Sequence, residues 1–265
     1  MSDGNYSTLI VNRRKGLTEV TLNRPEVRNA FDENLISELT DVVSRMAREG
    51  SRALVLRGAG TNFCAGADLN WMRRASEYTR EENVEDAGRL QQMFAAIAHF
   101  PGVTIAVVHG AAIGGGAGLA AVCDVTVSHE SCQFALSEVR LGLVPAVIAP
   151  YVIEKIGIGA ARSLFVTGER FDGVKALRIG LVQHLATAEE ECETVVSTIV
   201  GRVMAASPAA IAAGKQLIRH IAGKSPDEAA AQTAACIADL RDSPEGREGI
   251  RAFLEKTRPS FAVDV

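Results

Sequence analysis

Apolar positions along the chain change their period from one stretch to the next. Thr8–Asn12 and Thr18–Leu22 are strand-like runs joined by the basic turn Arg13-Arg14-Lys15-Gly16, which predicts a β-hairpin. Asp32 is suited to cap a helix running to about Glu49, whose stripe is Leu35, Leu39, Val42, Val43 and Met46. A strand at Ala53–Leu56 follows. Thr79-Arg80-Glu81-Glu82 has capping-box spacing and opens a helix with Leu90, Met93, Phe94 and Ile97 on its inner face. Then come a strand at Thr104–Val108, a glycine turn with an Ala- and Leu-rich helical stretch, and a strand at Asp124–Ser128. Strands alternating with helices point to parallel βαβ units with buried strands. After about Pro145 the pattern is almost wholly helical, with candidates at 146–156, 159–167, 172–178, 189–205, 208–221, 226–239 and near 244–256. The expectation is an α/β core followed by a helical C-terminal third, with no internal repeat and no long linker.

Composition narrows the functional classes. With 265 residues, 47% hydrophobic and 23% charged, the chain can bury a sizeable core. A net charge of −4 gives no general attraction for nucleic acid or an anionic membrane, and aromatic-basic clusters are lacking. A phosphate-rich ligand would need a local cluster of Lys and Arg. The five cysteines, at 64, 123, 132, 192 and 236, form no CxxC pair, which argues against a disulfide or metal framework and for a reducing, cytoplasmic setting. The opening MSDGNYST has no apolar signal core, and no apolar run reaches the ~18 residues of a membrane span.

Candidate chemistry concentrates between His109 and Pro150. Gly114-Gly115-Gly116 stands between a strand and a helix start, where backbone can approach a ligand closely and N–H groups lack intrahelical acceptors. Glu138 is an isolated acid in an apolar run. Exposed donors beside a lone carboxylate are the parts needed for proton transfer next to a carbonyl. Apolar surroundings would raise its pKa; the bland alternative is a surface glutamate paired with Arg140.

Four segments in order, NRPEVRNAF near Asn23, NFCAGADLNW at Asn62–Trp71, the 109–150 stretch and AFLEKTRPSF near the C-terminus, resemble the crotonase (enoyl-CoA hydratase/isomerase) superfamily over almost the whole chain. The resemblance implies a crotonase (ClpP-like) α/β fold of stacked ββα units at 1–200 and a helical trimerisation region at 201–265. It also implies homotrimers, often paired into hexamers. The substrate would be an acyl-CoA thioester, with no metal, redox cofactor, nucleic acid or membrane involved. It places an oxyanion hole at the backbone N–H groups of Ala67 and Gly115, and acid/base work on Glu138 in SEVRLGLVP. Coenzyme A would lie along Arg28, Ala30, Ala65, Asp68 and Leu69, with Phe253 and Lys256 reaching it from a neighbouring subunit or from the chain's own C-terminal helix.

One position departs from the family pattern. Hydratases of the family usually carry a second glutamate where this chain has Gly118. Three activities stay open: a hydratase using Glu138 with an ordered water, a Δ3,Δ2-enoyl-CoA isomerase, or a hydrolase. The last is disfavoured because Ala146 stands where hydrolases carry an acid. A binding protein that has lost catalysis also remains possible. The wording NFCAGADLNWM with GGGAGL resembles bacterial methylglutaconyl-CoA hydratases, which implies a branched or carboxylated enoyl group such as 3-methylglutaconyl-CoA. Arg140, or else Arg73 or Arg74, would receive the distal carboxylate. Gly114, Gly118 and Trp71 would line the pocket; Gly118 would leave room for a bulky acyl end, and a glutamate there would favour small enoyl groups. Against these stand plainer roles: a helix cap for Asp68, a packing role for Trp71, a helix-end lysine at 256, ordinary core for Cys64, and structural roles for Asp124, His109 and His129.

Overall fold

The computed structural model describes residues 6–264; Met1–Asn5, part of the opening stretch considered above, and Val265 lie outside it. The predicted hairpin forms as β1 (Leu9–Arg14) and β2 (Leu17–Leu22), antiparallel in register. β3 (Ala53–Gly58), β4 (Val103–Val108), β6 (Val125–His129) and β9 (His184–Ala186) then add in parallel, giving a six-stranded sheet ordered β1-β2-β3-β4-β6-β9. A second sheet holds β5 (Ala111–Ile113), β7 (Gln133–Ala135) and β8 (Arg170–Asp172) in the order β5-β7-β8.

Side chains alternate across the large sheet, so its two faces feed two cores. Leu54, Leu56, Ala106 and Val108 join the larger core with α1 (Glu33–Arg48) and α3 (Arg80–Ala98). Ala53, Val55, Ile105 and Val107 face α7 (Glu189–Ala205), which buries Cys192, Val196 and Val200 against them. The predicted caps are present: Asp32 accepts from the Leu35 N–H at 2.9 Å, and Thr79 with Glu82 forms the reciprocal box. The α1 stripe named above is fully buried; truncating one of its leucines to alanine would cost about 2–5 kcal/mol.

The strands at 103–108 and 125–129 are tied together by Asp124. Its Oδ2 accepts from the Thr104 N–H and Oγ1 at 2.8 and 3.0 Å and from Lys215 Nζ at 2.6 Å. The expectation of an almost wholly helical pattern after Pro145 needs amending, because β8 and β9 are strands. Each is three residues long and pairs with a distant partner, so it leaves no periodic trace. The two helices expected at 146–167 run as α5 (Ala149–Thr167), broken at Gly157 with φ +74°. α6 (Gly173–Arg178) and α7 follow. The core ends where α7 stops at Ala205, with Val203 and Met204 still packed on the sheet. Beyond it, α8 (Pro208–Ile221), α9 (Pro226–Asp242) and α10 (Pro244–Glu255) bury little and leave Ile218, Ile250, Phe253 and Leu254 at least half exposed. No single helix among the described residues is long and apolar enough to cross a membrane.

Candidate active site

Two chain segments 48 positions apart become neighbours because 64–67 is threaded between Phe31 and β5. On one side Phe31 N–H donates to Gly66 O at 2.7 Å and Asp68 N–H to Phe31 O at 2.8 Å. On the other, Cys64 N–H donates to Ala111 O at 3.1 Å and Ile113 N–H to Cys64 O at 3.0 Å. In a parallel bridge whose bonds use residues 66 and 68, the N–H of Ala67 points away from Phe31, towards the end of β5. There the chain has already turned at Gly114, with φ +53°, into α4 (Gly115–Val122). The Ala67 N–H therefore meets no strand, and Gly115, the first residue of α4, has no intrahelical acceptor. Among the described residues neither N–H donates a backbone hydrogen bond. Gly66 closes the gap, since a Cβ there would stand 3.8 Å from the Gly115 N and 2.8 Å from Ile113 O. Phe31 lies beneath, and a side chain on Gly115 would overlap its ring.

Glu138 opens a single 3-10 turn, Glu138–Leu141, after β7. Its Oε1 lies 3.0 Å from where a side chain on Gly114 would begin, and its Oε2 is buried with no hydrogen-bond partner among the described residues. Burial raises its pKa above the usual carboxylate value, with only its own backbone N–H opposing. Ala67, Gly114, Gly115 and Glu138 line one cavity of about 500 Å³. The expected oxyanion donors and acid thus converge on one space. Ala65, Leu69 and Trp71 line it too. Trp71 is 7% exposed and its indole N–H is unpaired among the described residues, so packing and pocket roles coincide.

The expectations for Gly118 and Arg140 are corrected. Gly118 does not line the cavity: a Cβ there would overlap Ile148 Cγ2 and sit 3.2 Å from Phe94 Cζ, so Ile148 already fills the room expected for a bulky acyl end. Arg140 is exposed, packs over Gly168 and lies outside the cavity, and it forms no ion pair with Glu138. Arg74 pairs with Glu33 at 2.7 Å, and Arg73 donates to Asn70 at the surface. Asp68 is a buried cap rather than a ligand contact. It accepts from the Asn70 and Trp71 N–H groups and from Arg24 Nη2 at 3.0 Å. Burial alone would raise its pKa, but those donors hold it below the usual range. Arg28 is exposed, and its carbonyl accepts from the Ala65 N–H; Ala30 is buried, with its carbonyl held by Arg24. Phe253 and Lys256 stand at the end of α10, outside the cavity. Cys64 is fully buried and its thiol is pushed up to about 12, which suits core and not a nucleophile.

Arg24, Asp86 and Ile148 escaped the sequence reading. Arg24 bridges Asp32 and Asp68 at 3.1 and 3.0 Å and so braces the Ala67 loop. Asp86 had a signal: it lies four positions before Leu90, on the face of α3 that was expected to be apolar.

Residues 12–263 match the family described as enoyl-CoA hydratase/isomerase. The chain is 32% identical to the 2,3-dehydroadipyl-CoA hydratase of Escherichia coli, over 96% of this chain and 98% of that one. Among solved structures it superposes on an enoyl-CoA hydratase from Shewanella pealeana at TM-score 0.93 with 37% identity, covering 96% of each. It superposes on AtuE of Pseudomonas aeruginosa at TM-score 0.92 with 35% identity, covering 97% of this chain and all of that one. The chain belongs to the enoyl-CoA hydratase/isomerase family and has the crotonase fold, with a helical C-terminal region.

Proposed function

We propose that this enzyme adds water reversibly to the double bond of α,β-unsaturated acyl-CoA thioesters. The observation that carries the reading is the convergence of two uncommitted N–H donors, Ala67 and Gly115, with the half-buried Glu138 carboxylate on one apolar cavity. A thioester oxygen between the two donors is stabilised as negative charge develops on it during attack at the β-carbon. Glu138, with one oxygen unpaired, accepts the proton of the attacking water. The hydroxyl bonds to the β-carbon, and the same carboxyl returns the proton to the α-carbon. The step is redox-neutral and its charge is met by backbone donors, so it calls for no metal or redox cofactor; coenzyme A enters as part of the substrate.

One carboxylate suffices for that cycle. The same carboxylate could also move a proton between C2 and C4, which keeps the isomerase as the second reading. The acyl group is proposed to be uncharged, linear or branched, because among the described residues no Lys, Arg or His lines the cavity to receive a distal carboxylate. The branched half of the earlier expectation is kept, and the carboxylated half, 3-methylglutaconyl-CoA included, loses its arginine. Coenzyme A is proposed to leave along Arg28, Ala65 and Leu69. The exposed apolar residues of α8–α10 support assembly into a homotrimer or hexamer, in which Phe253 and Lys256 would meet a neighbour's coenzyme. Five free cysteines, four of them buried, support a reducing cytoplasm. The test is to offer the purified protein crotonyl-CoA and 3-hexenoyl-CoA. Loss of conjugated-enoyl absorbance with the first means hydration; a gain with the second means isomerisation; no change with either refutes both.

A further inference from the structure

Asp86 borders two spaces at once. With Asn83, Ala87 and Leu90 it forms the α3 wall of the acyl cavity. With Arg89 it also lines a groove of about 370 Å³ between α1 and α3. It is therefore the partition between them, and it is 7% exposed. Its Oδ1 accepts from Arg89 Nη2 at 3.0 Å, while its Oδ2 has no hydrogen-bond partner among the described residues. Arg89 spends its other arm on Glu85 at 2.8 Å and lines the outer groove, not the cavity. Leu90, Ala87 and Trp71 make this part of the cavity apolar, which suits an acyl group better than the amides of a pantetheine arm. Among the described residues two carboxylates and no cation line the cavity, so an anionic acyl end would meet like charge in apolar surroundings.

We propose that Asp86 is the residue that selects acyl charge in this enzyme: it disfavours enoyl groups with a distal carboxylate and holds Arg89 in the outer groove, where Arg89 cannot receive one. This rests on the cavity being the acyl-CoA site. Removing the Asp86 charge acts twice in the same direction, by ending the repulsion and by loosening one arm of Arg89, whose other arm stays on Glu85.

The experiment compares ligands of equal length. Binding of hexanoyl-CoA and adipoyl-CoA, which cannot turn over, is measured by calorimetry for the wild type, Asp86→Asn and Asp86→Glu. Turnover of 2-hexenoyl-CoA and 2,3-dehydroadipyl-CoA is measured alongside. The wild type should prefer hexanoyl-CoA by roughly tenfold or more, Asp86→Asn should shrink that preference by a similar factor, and Asp86→Glu should retain it. A structural defect alone would weaken both ligands together and leave the ratio in place. An unchanged ratio in Asp86→Asn, a wild type that binds adipoyl-CoA as well as hexanoyl-CoA, or a wild type that binds neither would overturn the proposal. The expected binding ratios without turnover of either enoyl ester would refute hydration while upholding charge selection by Asp86.

Discussion

Placing a methyl group on Gly118 tests how the space beside the active site is filled. In Gly118→Ala the new Cβ would overlap Ile148 Cγ2, sit 2.9 Å from Ile148 Cβ and lie 3.2 Å from Phe94 Cζ. Carbon atoms prefer about 3.5–4.0 Å, so Ile148 must retreat by roughly 1 Å. It cannot do so by rotation alone, because its Cβ is fixed to the backbone that caps α5. Overpacking of this kind costs about 1–3 kcal/mol, and the better helix propensity of alanine returns up to about 1 kcal/mol. The net expectation is a loss of about 1–2 kcal/mol, or roughly 2–8 °C in Tm. Ile148 lines the cavity, so its retreat should also raise KM if enoyl-CoA binds there. Urea and thermal unfolding at one protein concentration give the stability change. The double variant Gly118→Ala/Ile148→Ala should be more stable than the sum of the single changes implies, by at least about 1 kcal/mol. A Gly118→Ala protein as stable as the wild type, or strict additivity in the cycle, would refute the packing argument. By the same reasoning Gly118→Glu adds an unpaired buried carboxylate to the overlap. It should yield a poorly folded protein, not the improved crotonyl-CoA hydratase that the family pattern suggests.

Glu138→Gln should lower turnover by ~100-fold or more while CoA-ester binding persists, and single-turnover kinetics with isothermal binding would expose the opposite result. Because burial raises the Glu138 pKa above its ordinary 4.5, the folded state holds this proton more tightly than the unfolded one. Stability is then fully present below about the ordinary value and falls as pH rises through the folded pKa. Glu138→Gln should accordingly be more stable than the wild type at pH 7, with the gap closing towards pH 4 in denaturant titrations; a gap independent of pH contradicts the burial argument. Asp68→Ala removes the cap of the helix Leu69–Ala75 and one partner of Arg24 and should cost about 1–3 kcal/mol, whereas Asp68→Asn, which can still cap, should lose less in the same unfolding assay. Phe253→Asp places a charge on the exposed end of α10; light scattering should show a smaller assembly if α8–α10 pack between subunits, and an unchanged mass would remove Phe253 from that interface.

The elements that the sequence determined are those whose signals lie within one or two turns of chain. Asp32 with the Leu35-to-Met46 stripe, the Thr79–Glu82 box and the short apolar runs at 53–56 and 104–108 each encode a local geometry that packing then preserves. The convergence of Ala67, Gly115 and Glu138 was anticipated for a related reason. A glycine run at a helix start and a lone acid in an apolar stretch are chemically conspicuous, and the ordered resemblance suggested the roles proposed for them. β5, β7, β8 and β9 were not legible, since three residues carry too few side chains to establish a period and owe their form to distant partners. Tertiary structure alone decided that Ile148 occupies the space over Gly118, that Asp68 spends its carboxylate on a cap and Arg24, and that Arg140 lies outside the cavity while Asp86 lines it. Which side chain fills a cavity depends on contacts between segments tens of residues apart, and neither the spacing nor the chemistry of either segment alone contains that information.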